Sequence, residues 1–378
     1  MKIVSVLYKG NEFIREKNCE NLANEDVDLV LGFGSSELIS LPKSFSDIKL
    51  RFPNAQIALC SSAGEIFNTE VLDDSISLIA LSFDYSQIKT ADTNIKDYQS
   101  SFEAGEYLVN ELSDEKLKFI FVLSDGGSVN GSELVKGMNS VKAEGVLITG
   151  GLAGDGTRFE KTYVGLNRLP AIGNILAIGF YGDKLELSHG SIGGWESFGL
   201  KRTVTNSKGN VLYKIDNENA LDLYKSYLGK YADELPGSAL LFPLSIKINE
   251  NESIVRTILS IDEKNQTMTF AGDVPEGSEV RFMKANFDRL IDAASDVASN
   301  CLEMSNNPKL ALLISCVGRK IILGNRIDEE VEAVSEVFGK TTTLSGFYSY
   351  GEISPLKPME NCELHNQTMT ITCINEIE

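Results

Sequence analysis

Histidine is scarce in this chain: two in 378 residues, His189 and His365. A serine–histidine–aspartate triad therefore has only two candidates for its base, and no nucleophile-elbow pattern precedes either. A divalent metal site needs several His, Cys, Asp or Glu at ligand spacing, and no such spacing occurs. The six cysteines are dispersed without a C-x-x-C pair, and most sit in apolar patterns. They read as buried free thiols rather than disulfides or zinc ligands. Positive charge is in deficit as well, with a net charge of −19. That argues against nucleic acid, whose recognition needs clustered Lys and Arg, and disfavours an anionic membrane. No apolar run approaches the roughly 18 residues that span a bilayer. The opening MKIVSVLYKGNEF is cut by Lys9 and is not a convincing signal peptide. These absences leave an acidic, cytoplasmic, multidomain protein as the expectation.

An apolar fraction of 42% with 24% charged residues is that of a soluble globular chain. The length suggests two domains. Apolar strands at 28–33, 56–60, 117–123 and 309–316 each run into a glycine- or serine-rich turn, and amphipathic helices lie between strands. The pattern predicts an α/β fold, with α+β features in the C-terminal part, as two layered domains with mixed sheets. The expected division is a lead-in over 1–26, a first domain over 27–217 and a second over 218–378. Within it, Ser132 is the expected cap of a helix over 132–138, 46–52 a short helix, and 239–244 strand-like. Strand, helix, strand and Gly-Glu-Ile occur in order at 28–66 and again at 310–353, a loose echo of duplication.

The densest cluster of candidate residues runs from Thr341 to Thr372. Tyr348, Tyr350, Gly351 and Glu352 end one strand, and His365 precedes another. Glu352 and His365 either form part of a site or satisfy each other and nearby backbone. The loop GGLAGDG at 150–156 lacks the Lys-Ser/Thr of a phosphate loop and has no clear helix after it. Its Asp155 would bind a cationic group or cap the turn, and Asp125 in SDGG has the same two readings. Cys316 lies near Arg319, which lowers a thiol's pKa, but its apolar approach favours a buried thiol. Haem needs only one axial histidine and an apolar pocket, so histidine scarcity does not exclude it.

Together these motifs resemble the FIST family, a bacterial sensory module with N-terminal and C-terminal parts. CSSAGEI at 60–66, LSDG at 123–126, and GGLAGDG followed by Phe159, Thr162 and Val164 carry the first part. VPEG at 274–277, SCVGR at 315–319, GFYSYGEISP at 346–355 and LHNQTM at 364–369 carry the second. The resemblance spans nearly the whole chain, from residue 27 to 372. It implies a non-enzymatic small-molecule sensor in signal transduction, regulating a histidine kinase, a cyclic-di-GMP enzyme or a chemoreceptor. With no kinase, receiver or GGDEF-like segment, the chain resembles the stand-alone members, which include NosP-type haem proteins that sense nitric oxide. That likeness implies haem as cofactor and a histidine on its iron, His365 first and His189 second. In the alternative, an amino acid is bound directly. Asp155, Glu352 and Arg319 would then pair with its ammonium and carboxylate groups, Tyr348 and Tyr350 would wall the site, and Gly151 would belong to its loop. A site between the domains is expected. A hydrolase or transferase using Cys316 or Glu352 is the rival from another class, without a visible nucleophile–base pair. Whether the chain forms a homodimer is left open.

Overall fold

The computed structural model describes residues 1–235, 237–248, 253–305 and 307–377. Three apolar runs of the sequence become the first strands of three parallel pairs. Leu29–Gly34 pairs with Gln56–Ser61, Leu117–Ser124 with Leu147–Leu152, and Leu310–Cys316 with Thr343–Ser349. The crossovers contain the helices Pro42–Arg51, Gly131–Val141 and Ile327–Phe338. Nearly every residue of the three first strands is buried. Leu29, Leu31 and Phe33 meet Phe119, Phe121, Leu123, Leu310, Leu312 and Ile314 in one core shared by three sheets. The intervening residues, such as Ile120 and Val122, face the outer helices. A strand covered on both faces reads as a continuous apolar run, which is the pattern these segments show.

After each second strand the chain passes a glycine and an acid (Gly64-Glu65, Gly154-Asp155, Gly351-Glu352) and moves to a different sheet. Glu65–Phe67 adds to Thr343–Ser349, Gly351–Pro355 adds to Leu147–Leu152, and Val164–Leu166 adds to Gln56–Ser61. The exchange is cyclic. Each unit lends a strand to one neighbour and receives one from the other. On the far side of the first strand lie two antiparallel strands in two of the sheets, for example Asn174–Tyr181 and then Gln87–Asn94, and three in the sheet of Leu29–Gly34. The outcome is three six-stranded sheets that share a central order of added strand, second strand, first strand and two antiparallel strands, and differ in which edge carries the sixth. The Gly-Glu-Ile echo therefore marks a structural repeat, and 117–155 is a third copy with Gly-Asp in place of Gly-Glu.

Residues 196–284 build a separate eight-stranded sheet with the helix Ala220–Leu228 against it. Its core is its own, with Val204, Leu212, Ile215, Tyr224, Phe270 and Phe282. This sheet is inserted between the strand Leu185–Ile192 and the helix Phe287–Met304, which both belong to the three-sheet body. The expected boundary at 217 lies in a turn of the inserted sheet, between Val211–Ile215 and Glu218–Asn219. The α/β class with mixed sheets holds across both halves.

Some local expectations differ. Asn130, not Ser132, caps Gly131–Val141, its Oδ1 accepting the Glu133 N–H at 3.1 Å, because the helix starts one residue earlier. The helix expected over 46–52 starts at Pro42, whose fixed φ and missing N–H suit a first turn. Gly237–Leu241 forms a 3-10 turn, and the strand expected over 239–244 begins only at Leu244.

Candidate functional site

The three acids that follow the second strands are all buried. Ser62 Oγ donates to Glu65 at 2.5 Å, and Ser75 donates through Oγ (2.8 Å) and N–H (3.3 Å). Glu352 repeats the arrangement with Ser349 Oγ (2.6 Å) and with Thr368 through Oγ1 (2.9 Å) and N–H (3.2 Å). Burial pushes both carboxyls up to about 8. Asp155 accepts the N–H groups of Phe159, Glu160 and Lys161 at 2.8–2.9 Å and the hydroxyl of Tyr350. Its two oxygens are thus committed to the loop that carries the chain to the next sheet. Asp125 caps in the same way, accepting from Gly127, Ser128 and Gly173.

Glu352 and His365 are register partners across their two strands, yet their side chains bond elsewhere. His365 Nε2 donates to the Ser354 carbonyl at 2.8 Å, and burial lowers its pKa to about 4. Gly151 lies opposite Glu352 and packs against Ile314 and the Gly351 carbonyl, where a Cβ would crowd both. Arg319 and Tyr348 come together through Glu330, a residue the sequence reading did not single out. Arg319 Nε donates to Glu330 at 2.6 Å, and its other nitrogens donate to Gly193 and Leu290 carbonyls at 2.6 and 2.7 Å. Tyr348 and Ser315 hydroxyls donate to the second Glu330 oxygen at 2.8 and 3.0 Å. Glu330 lies on the stripe Ile327–Val331–Val334–Phe338, so helical periodicity holds the signal for its burial. This closed ionic cluster leaves Arg319 little to offer a ligand. Cys316 is buried too, and desolvation with the nearby Glu352 raises its thiol far more than Arg319 lowers it.

Two pockets adjoin the candidate residues. The first lies between the body and the inserted sheet and holds about 300 Å³. The loop Gly126–Gly131 at the start of the helix Gly131–Val141 lines one wall, and Asn210, Phe270, Gly272 and Asp273 line the other. Tyr350 reaches it, stacked on Phe159 with ring centroids 4.5 Å apart. Of the residues expected to wall a site, Tyr350 alone borders this pocket among the described residues. The wall from the inserted sheet carried no motif beyond VPEG, because its approach to Gly126 is a tertiary event.

The second pocket, also about 300 Å³, is lined by Leu187, His189, Met304, Pro355 and Met359, with Lys118 and Lys142. His189 Nδ1 lies 3.5 Å from Ser354 Oγ, and burial lowers its pKa to about 4, so the imidazole is neutral. The two histidines flank Ser354, but only His189 borders this pocket; for an axial ligand its neutral ring on an apolar wall fits, and the enclosed His365 does not. Among the described residues no group of three or more His, Cys, Asp or Glu is placed to hold a metal ion, and no helix is long and apolar enough to cross a membrane.

No curated protein matches the chain. The FIST N domain model matches residues 28–218 and the FIST C domain model matches residues 220–355. Taken with the motifs that occur in order along it, the match shows that the chain belongs to the FIST family, whose domains are associated with sensing small ligands in signal transduction.

Proposed function

We propose that this protein is a non-enzymatic sensor whose small ligand sits in the cleft between the three-sheet body and the inserted sheet, and whose state is read by a partner such as a histidine kinase or a cyclic-di-GMP enzyme. The observation that carries this reading is that the two walls of the cleft belong to separate cores. A ligand touching both binds the closed arrangement more tightly than an open one, which is what a two-state switch requires. The lining suits an amino acid. Gly126, Gly127, Ser128 and Asn130 spend their N–H groups on Thr162, Asp125 and Ser101, which leaves the N–H groups of Val129 and Gly131 at the helix start for a carboxylate. Asp273, paired at the surface with Lys136, would exchange that partner for an ammonium group, and Tyr350 and Phe270 flank a side chain. These groups line the cleft, whereas Asp155, Glu352 and Arg319 are buried away from it with their polar atoms engaged. The test is an amino-acid panel scored by thermal shift in the wild type and in Ala271→Trp, which fills the cleft. A saturable rise in Tm, lost in the variant, is expected, and about 2.7 kcal/mol of stabilisation accompanies a ligand at 100 times its Kd. A panel without any shift sinks the amino-acid reading.

Haem-based sensing of nitric oxide is the second reading, supported by the neutral His189 on a pocket whose wall includes Leu187, Met304, Pro355 and Met359. Bound haem supplies an iron that takes up nitric oxide. His189 would hold the iron through Nε2, since Nδ1 lies beside Ser354, while Leu187, Met304 and Met359 would pack on the haem and Lys118 and Lys142 would pair with its propionates. Titration with haem should give a saturable Soret band that moves with nitric oxide, is lost in His189→Ala and survives in His365→Gln. No specific band at stoichiometric haem ends this reading.

A further inference from the structure

The cleft between the body and the inserted sheet carries two large apolar side chains that the fold leaves about half exposed. Phe159 of the body is 48% exposed, and Leu259 of the inserted sheet is 45% exposed. Both line the cleft, one from each wall. Each is presented by a local departure from regular backbone. Phe159 has a φ of +55°, in the left-handed region that bulky side chains rarely adopt. Among the described non-glycine residues with positive φ it is the one aromatic. Its N–H donates to Asp155 Oδ1 at 2.9 Å and to the Tyr350 hydroxyl at 3.1 Å, and its ring stacks on that of Tyr350. The buried Asp155 thus fixes a turn that sets an aromatic ring at the rim of the cleft.

Leu259 lies on Ile258–Asp262, an edge strand paired with Thr267–Phe270. Ile258 stands opposite Phe270 and Ser260 opposite Thr269, so Leu259 is the extra residue of a β-bulge. Bulges re-aim a side chain and gather next to functional sites. Here the bulged residue meets the same cleft as Phe270. Val129 and Leu152 of the body extend the apolar lining. Little charge stands against it. Among the described residues of the lining, Asp273 is the one Asp, Glu, Lys, Arg or His. Large apolar groups left exposed on facing walls mark a surface that a ligand covers.

We propose that Phe159 and Leu259 select the ligand by its side chain, and that the cleft takes amino acids whose side chain is apolar, branched aliphatic or aromatic. The inference rests on the amino-acid reading of the cleft and narrows it. With Asp273 matched to the ammonium group, no other charged side chain of the lining answers an ionised ligand side chain, and burying one unpaired is costly. A leucine or phenylalanine side chain instead leaves water against Phe159, Leu259 and Phe270 and covers their exposed surface. At about 300 Å³ the cleft lies at the small end of ligand pockets, which suits a single amino acid. A side chain held between Phe159 and Leu259 touches both walls, so the ligand that is selected is also the one that favours closure.

Calorimetry and thermal shift on the full chain with L-leucine, L-phenylalanine, L-alanine, L-glutamate and L-lysine test the selection. Leucine or phenylalanine should bind at least about tenfold more tightly than alanine, or 1.4 kcal/mol, and glutamate and lysine no more tightly than alanine. Phe159→Asn, which suits the left-handed backbone, and Leu259→Ser each replace a half-exposed side chain, so both variants should fold. Each should cut the preference for leucine or phenylalanine over alanine by about fivefold or more. The ratio is the readout, because general damage to the cleft weakens all ligands alike. An unchanged ratio in both variants overturns the role of the two residues. Glutamate or lysine binding as tightly as leucine and phenylalanine overturns the apolar class while the amino-acid reading stands. A panel without any response removes the amino-acid reading itself, and this inference with it.

Discussion

Single buried charges set how this fold responds to pH and to substitution. Glu65 and Glu352 keep their protons up to about 8 in the fold, against roughly 4.3 for an unperturbed glutamate. Above the unfolded value, folding takes up a proton at each, so stability falls as pH rises and levels off once both ionise in the fold. His189 and His365, lowered to about 4, act in the opposite direction. Below roughly 6.5 the unfolded chain binds protons that the folded rings do not, so stability falls as pH drops toward 4. The two effects oppose each other in mild acid, and the carboxyls act without that opposition between about pH 6.5 and 8. Urea midpoints should fall across that window, with a slope of at most about 1.4 kcal/mol per pH unit for each carboxyl. Glu65→Gln and Glu352→Gln should each flatten it, and an unchanged slope in both would refute the assignment. Glu330→Gln tests the ionic cluster. Removing the charge that faces the fully buried Arg319 should cost about 3–5 kcal/mol in urea unfolding.

At the scale of elements, the close approach of strands depends on glycine at equivalent places in two units. Gly150 and Gly346 have φ of +153° and +158°, and a Cβ at either would collide with the carbonyl of Val122 or Leu313 on the neighbouring strand. Gly150→Ala and Gly346→Ala should therefore destabilise by about 3 kcal/mol or more, since both clash and conformation oppose the methyl. Gly10, at φ +60° with nothing within 4 Å, is the control. Its alanine variant should lose only about 1–2 kcal/mol, the cost of the left-handed conformation. Equal losses at all three positions would mean that strand packing plays no part.

For the whole molecule, the inserted sheet is an appendage with its own core, joined where its two ends come together. Gly194 abuts the Arg289 carbonyl, and Trp195 Nε1 donates to the Gln367 carbonyl at 2.8 Å. Replacing residues 196–284 by a short Gly-Ser loop should leave a body that melts cooperatively and keeps its far-UV signature. The same deletion should abolish ligand responses that depend on the cleft. A deleted chain that fails to fold would show that the body needs the inserted sheet's contacts for stability.

The sequence by itself determined the class of fold, the family and most of the element list. Those follow from local physics: apolar runs such as LVLGF and LALLIS, helical periodicity at 287–302, and Gly339 closing its helix at φ +74°. It also held half of the repeat, because Gly-Glu-Ile recurs at the same point of two units. Which acids and bases could meet a ligand was decided only in three dimensions. Asp155, Glu352 and Arg319 look like ligand groups until the fold supplies their backbone and side-chain partners. His189 and His365 look alike in sequence, but His189 lines the second pocket, while His365 is enclosed with its Nε2 on the Ser354 carbonyl. Tertiary structure alone decided that strands beyond residue 285 return to sheets begun in the first half, and that Arg256 of the inserted sheet is buried with its Nη1 on the Leu364 carbonyl of the body. Some of the partners that the fold supplies are near in sequence, as Ser349 is to Glu352 and Glu330 to Arg319, but others, such as Tyr350 for Asp155 and Gly193 for Arg319, lie more than a hundred positions away. Local sequence carries the preferences of each segment but not the partner it will find.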